Sequence, residues 1–116
     1  MDKYKVLFHT DYIARIDLGL ENIENLLTDL GGSNVEVELV ANFEAITLLS
    51  KASNKYETKI AELAAKGVIF AACANAMRAH NLTKDDMLEV AVVVPSAVGE
   101  LIKKQAQGWA YIRPYI

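Results

Sequence analysis

Apolar positions change their period several times along the chain, and each change marks an element. Tyr4-Lys5-Val6-Leu7-Phe8-His9 reads as a strand. From Ile13 onward, Ile16, Leu20, Ile23, Leu27 and Leu30 recur at three- and four-residue steps, which is one face of an amphipathic helix. Thr10 or Asp11 is placed to cap its start, and Gly31-Gly32 to end it. Val35-Glu36-Val37-Glu38-Leu39-Val40 alternates with period two. Its polar face predicts a strand at or near a sheet edge. Phe43 to Leu49 predicts a short helix and Ser50 to Asn54 a polar break. Tyr56, Ile60 and Leu63 define the next helix, closed by Gly67. Val68-Ile69-Phe70-Ala71-Ala72 is continuously apolar, as a strand covered on both faces requires. Ala74 to His80 is a short helical stretch that Asn81 can stop, and Thr83-Lys84-Asp85-Asp86 resembles a helix start. Leu88 to Val94 is rich in β-branched residues and predicts a second central strand, ended by Pro95. Ala97, Val98, Leu101, Ile102 and Gln105 make a last helix up to Gly108, and Trp109 to Arg113 a last strand, stopped by Pro114.

The order β-α-β-α-β-α-β-α-β predicts an α/β fold: a five-strand, mostly parallel sheet with helices on both faces. Its 116 residues make one domain, 1–116, with no repeat, low-complexity segment or linker. At 53% hydrophobic and 23% charged, the chain has the composition of a folded domain rather than a disordered one. The net charge of -3 argues against broad binding to nucleic acid or to an anionic membrane. Apolar runs fall far short of the roughly 18 residues of a membrane span. Met1-Asp2-Lys3-Tyr4-Lys5 does not read as a signal peptide. A single cysteine excludes a disulfide within the chain, so a reducing, cytoplasmic setting is expected.

In an open parallel sheet, ligands bind beyond the carboxyl ends of the strands. The residues just past each strand are His9, Thr10 and Asp11; then Asn42; then Cys73, Asn75 and Arg78; then Pro95 and Ser96; and finally Arg113 and Tyr115. Cys73 carries the most chemistry. It leaves a buried strand and begins a helix, where unpaired backbone N–H groups favour a thiolate. Arg78 lies five residues on and can add positive charge. A thiolate is what nucleophilic attack or persulfide formation needs. The competing reading is a buried cysteine acting as a small hydrophobe in an Ala-rich segment. His9 is either a base or orienting group near Cys73, or a strand-end histidine satisfied by backbone. Cys73, His80 and His9 fit no common zinc spacing, so no metal is expected. There is no Gly-rich phosphate loop and no dinucleotide fingerprint, so no cofactor is expected either. Asp85-Asp86 reads as helix capping, and Lys103-Lys104 as a solvated helix face. Trp109, Tyr111 and Tyr115 cluster near the C-terminus, either as a subunit contact or as a cover for the sheet edge.

Several segments taken together resemble the DsrE/DsrF-like family of small intracellular sulfur-oxidation proteins, in particular its single-cysteine branch. They are Phe70 to Arg78, Leu82 to Asp86, Val94 to Leu101 and Gln105 to Pro114. The resemblance implies a three-layer α/β/α sandwich and a homo-oligomer, commonly a trimer or hexamer. It implies a cysteine, matching Cys73, that carries sulfur as a persulfide received from a donor and passed to an acceptor protein. Asn75 and Arg78 match the polar positions that follow that cysteine. With His9, Asn42 and Ser96 they form the expected ligand-binding set. The other reading is a non-catalytic module that binds a small ligand, with Cys73 in its wall. Relatives often have a Gly-containing turn after the second strand. Here that turn is Asn42-Phe43-Glu44, which bears on how open the pocket over Cys73 is.

Overall fold

The structure, a computed structural model, describes residues 3–52 and 54–115. Met1, Asp2 and Ser53, on which parts of the N-terminal and polar-break readings fall, lie outside the described residues. Five strands, β1 (Tyr4–Thr10), β2 (Val35–Ala41), β3 (Ile69–Cys73), β4 (Ala91–Val94) and β5 (Ala110–Ile112), form one sheet in the order β4-β3-β2-β1-β5. Every pairing is parallel, and the register sets Leu7 beside Glu38 and Glu38 beside Ile69. Four α-helices, α1 (Ile16–Leu30), α2 (Glu57–Ala65), α3 (Ala74–Ala79) and α4 (Ala97–Ala106), complete the expected three-layer sandwich. The chain steps from β1 to β4 in one direction and then returns across the sheet to β5. The right-handed crossover rule therefore puts α4 on the face opposite α1.

Three expectations need correction. β2 is the central strand, not an edge strand. Its alternation has another cause: Glu36 is exposed, but Glu38 is only 2% exposed, held beneath α4 with its Oε1 3.8 Å from Lys104 Nζ. Leu88 to Val94 is not a central strand. Only Ala91–Val94 pairs, at the sheet edge, and Val92 stands 50% exposed. β-Branched residues suit a strand whether or not a helix covers it, so composition alone could not separate the two cases. Finally, neither Thr10 nor Asp11 caps α1. A 3-10 turn, Ile13–Arg15, precedes that helix, and the Ile13 N–H donates instead to Glu44 Oε1 at 2.9 Å. The Asp11 carboxylate is taken by Arg15 (3.3 Å) and Arg113 (2.5 Å).

Other signals hold locally. β3 is buried from Phe70 to Cys73. Gly31, Gly67 and Asn81 adopt the left-handed backbone that ends their helices. The Asp86 carboxylate accepts from the Thr83 N–H (2.8 Å) and hydroxyl (3.0 Å), which is the capping role expected of it. Phe43–Leu49 is helical but of the tighter 3-10 kind. Trp109 is a core residue under the Lys104 ammonium, which lies 4.7 Å from its ring centre, so of the three C-terminal aromatics only Tyr111 and Tyr115 remain exposed.

Glu38 is the one buried acid among the described residues. Burial, reinforced by the facing Glu100 carboxyl, pushes it up to about 8 from an ordinary 4.5, against the opposing pull of Lys104. The other face-mates that the register sets beside it, Leu7 and Ile69, are apolar. Its Oε2 has no hydrogen-bond partner. The folded state therefore holds a proton that the unfolded state has lost between pH 4.5 and 8. This group's contribution to stability is full below pH 4.5 and disappears as pH rises through 8. Glu38→Gln should match the wild type near pH 4.5 and exceed it by roughly 2–4 kcal/mol at pH 8. Urea unfolding at both pH values checks this. An equal difference at the two pH values would refute it.

Candidate functional site

Parallel pairing ends every strand on the same side, and the chemistry-bearing residues gather there. Cys73 is the last residue of β3 and the residue before α3. It is 5% exposed, yet it lines a cavity of about 390 Å³ with Asn42, Phe43, Asn75, Ser96 and Val98. The Ala97 N–H, at the first turn of α4, donates to Cys73 Sγ at 3.3 Å. That N–H is one of the orphan donors at a helix start, so the positive end of α4 meets the sulfur, while the Cys73 side chain makes no capping bond to α3, the helix it precedes. Ser96 caps α4, its Oγ accepting from the Gly99 N–H at 2.9 Å. A Cβ on residue 99 would sit 2.7 Å from that oxygen, so glycine keeps the cap undisturbed.

Each expected site residue can now be placed. Asn42, Cys73, Asn75 and Ser96 line the cavity directly. His9 does not line it. Its Nε2–H donates to Asn42 Oδ1 at 3.0 Å, and its Nδ1 accepts from the Tyr111 hydroxyl at 2.7 Å. A carbonyl oxygen only accepts, so Nε2 must carry the proton, and His9 orients Asn42 rather than acting as a base on Cys73. Burial, aided by Asp11 and opposed by Arg113, holds the Tyr111 phenol above its ordinary range, so it stays a donor at neutral pH. Arg78 likewise lies behind the wall, donating from Nη2 to Asn75 Oδ1. Among the described residues no group of three or more His, Cys, Asp or Glu side chains is placed to hold a metal ion.

Arg113 and Tyr115, also named at the strand ends, belong to a neighbouring cluster. The Arg15 guanidinium lies between the rings of Tyr12 (4.9 Å) and Tyr115 (4.8 Å), while Asp11 binds Arg15 and Arg113. Tyr111 and the wall residues Phe43 and Val98 were not among the expected site residues, and His80, considered only as a metal ligand, also lines the cavity. Tyr111 reaches His9 only because β5 inserts beside β1, a pairing between residues a hundred positions apart. Val98 carried no signal of a wall position in the sequence, where it belongs to the apolar set of the last helix, although it stands 64% exposed.

With this geometry in hand, comparison defines the class. The profile of the DsrE/DsrF-like family matches residues 3–114, and the chain belongs to that family. Among solved structures it is similar to a protein of unknown function, MTH1491, from Methanobacterium thermoautotrophicum. The two are 40% identical with a TM-score of 0.91, over 97% of this chain and 100% of the other. No curated protein gives a significant match. No helix among the described residues is long and apolar enough to cross a membrane.

The turn after β2 has a specific structural consequence. Phe43 has φ 50, a left-handed conformation that a bulky side chain adopts only under strain. The ring, 57% exposed at the cavity wall, stacks edge-on against Tyr12 with ring centres 5.5 Å apart. Phe43→Gly and Phe43→Ala both lose the ring, and only alanine keeps the strain. The glycine variant should be the more stable of the two by about 1 kcal/mol in urea unfolding. Equal stabilities, or a more stable alanine variant, would show that the backbone here is not strained.

Proposed function

We propose that this protein carries sulfane sulfur as a persulfide on Cys73 and passes it to a partner thiol. The observation that supports this most is the Ala97 N–H on Cys73 Sγ at 3.3 Å, a donor suited to an anionic sulfur at the wall of an open cavity. Family membership supports a role related to sulfur relay. In the loading step, the Cys73 thiolate attacks the outer sulfur of an organic persulfide, R–S–SH. A new S–S bond forms at Cys73, the donor's S–S bond breaks, and R–S⁻ leaves with its electron pair. The transferred sulfur keeps its proton, and nothing is oxidised overall. Delivery is the same step with the roles exchanged, the partner's thiolate attacking and Cys73 leaving.

The setting proposed is a reducing cytoplasm, which keeps a lone thiol free. Self-association as a trimer or hexamer belongs to the same proposal. It is supported by the bare edge of β4 with Val92 exposed, and by Val98 and Ile102 standing outward on successive turns of α4, 64% and 62% exposed. Light scattering should return three or six times the chain mass of 12.8 kDa, and a monomer at micromolar concentration would refute it.

The deciding experiment is intact mass after exposure to polysulfide, with Cys73→Ser alongside. The wild type should gain sulfur mass that reductant removes, and the variant should gain none while keeping its fold by circular dichroism. No gain on a wild type whose Cys73 is shown to be free and reduced would favour a small-ligand-binding module, for which the cavity has ample volume.

A further inference from the structure

The two asparagines in the cavity wall share one arrangement. Asn42 Oδ1 accepts from His9 Nε2–H at 3.0 Å, and Asn75 Oδ1 accepts from the Arg78 guanidinium. Both carbonyl ends are thereby occupied, and neither Nδ2 has a hydrogen-bond partner among the described residues. An amide with its oxygen held by a donor cannot turn over without facing N–H against N–H, so each is locked with NH2 as its remaining group. His9 is itself held: with its Nε2–H given to Asn42, the Nδ1 of the neutral imidazole accepts from the Tyr111 hydroxyl at 2.7 Å. The Ala97 N–H adds a third donor, on Cys73 Sγ itself. Among the described residues no carboxylate, lysine or arginine lines the cavity; besides Cys73, His80 is the one ionisable side chain in its wall.

We infer that Asn42 and Asn75 form a donor pair for the sulfur anion that develops when Cys73 exchanges an S–S bond, and that His9 with Tyr111, and Arg78, are the positioning residues that lock the pair. The ligand class this selects is a disulfide or persulfide whose departing sulfur carries a single diffuse negative charge. Such a charge is met by neutral amide donors, whereas a compact dianion calls for a cation. The inference rests on the proposed sulfur chemistry for the identity of the natural ligand. The locked amides themselves are features of the fold.

Reaction of Cys73 with 4,4′-dithiodipyridine tests the pair without assuming a natural donor. The Cys73 thiolate bonds to one sulfur, the reagent's S–S bond breaks, and the pyridine thiolate leaves with its electron pair and is read by absorbance. Asn42→Ala and Asn75→Ala should each slow the second-order rate about tenfold, the loss of one donor to an anion. At position 9, glutamine can place an N–H where Nε2 stands and asparagine cannot reach. His9→Gln should therefore stay within about threefold of the wild type, while His9→Asn falls with Asn42→Ala. Wild type and His9→Gln should give superimposable pH–rate profiles, since an orienting residue takes no proton from Cys73. The ¹⁵N spectrum of His9 should show the proton on Nε2. Unchanged rates in both asparagine variants, an Nδ1–H tautomer, or equal losses in His9→Gln and His9→Asn, all in variants folded by circular dichroism, would overturn the donor pair. A wild type that takes up no sulfur from polysulfide yet shows these rates would overturn the persulfide carrier and leave the donor pair standing.

Discussion

Parallel pairing is the constraint on which the rest of this structure depends. A strand that pairs in parallel must be re-entered from the same end, so every strand of the sheet stops on one side and every crossover begins there. Read across the sheet in spatial order, that side presents Ser96 after β4, Cys73 at the end of β3, Asn42 after β2, His9 near the end of β1, and Tyr111 in β5. Four of these five also stand in one line of contact, since Tyr111 bonds His9, His9 bonds Asn42, and Asn42 shares a cavity wall with Cys73. No antiparallel arrangement of the same strands would bring those residues to one edge.

α4 links the core to the cavity. Its inner side covers β2 and closes Glu38 from water, with Glu100 and Lys104 as that acid's charged neighbours. Its first residue supplies the N–H on Cys73 Sγ. The helix is thus held between a costly buried carboxyl at the sheet centre and a polar contact at the sheet end. Leu101 and Ala97 supply its buried apolar contact. A buried acid on a central strand costs stability near neutral pH, and the surrounding apolar packing offsets that cost.

The cavity wall is part polar and part apolar. Its side-chain amides and the α4 N–H present donors, Ser96 and His80 add a hydroxyl and an imidazole to the wall, and Phe43, Ala76 and Val98 make its apolar part. Strain is stored at the same place, in the left-handed backbone of Phe43. Strained residues persist where the surroundings over-determine them. Here the 3-10 segment is tied from both sides, by the Asn42 N–H on Thr10 O at 3.1 Å and by Glu44 on the Ile13 N–H.

The sequence alone determined the elements and their class. Periods of 3.6 and 2, with Gly31, Gly67, Asn81 and Pro95 between them, are local signals that survive any tertiary arrangement. The alternating order then implied a parallel sheet, and a parallel sheet gathers its strand ends on one side, which is why Cys73, Asn42, Asn75 and Ser96 could be named together from the sequence. Only the tertiary structure decided strand order, and with it the central place of β2 and the edge place of β4. Hydropathy reports whether a residue tolerates burial, not what covers it, so Glu38 read as exposed and Val92 as buried when the reverse is true. The orientation of the amides was equally beyond the sequence. It depends on a hydrogen bond between Tyr111 and His9, 102 positions apart, that the pairing of β5 with β1 makes possible, and no local pattern encodes a contact of that range.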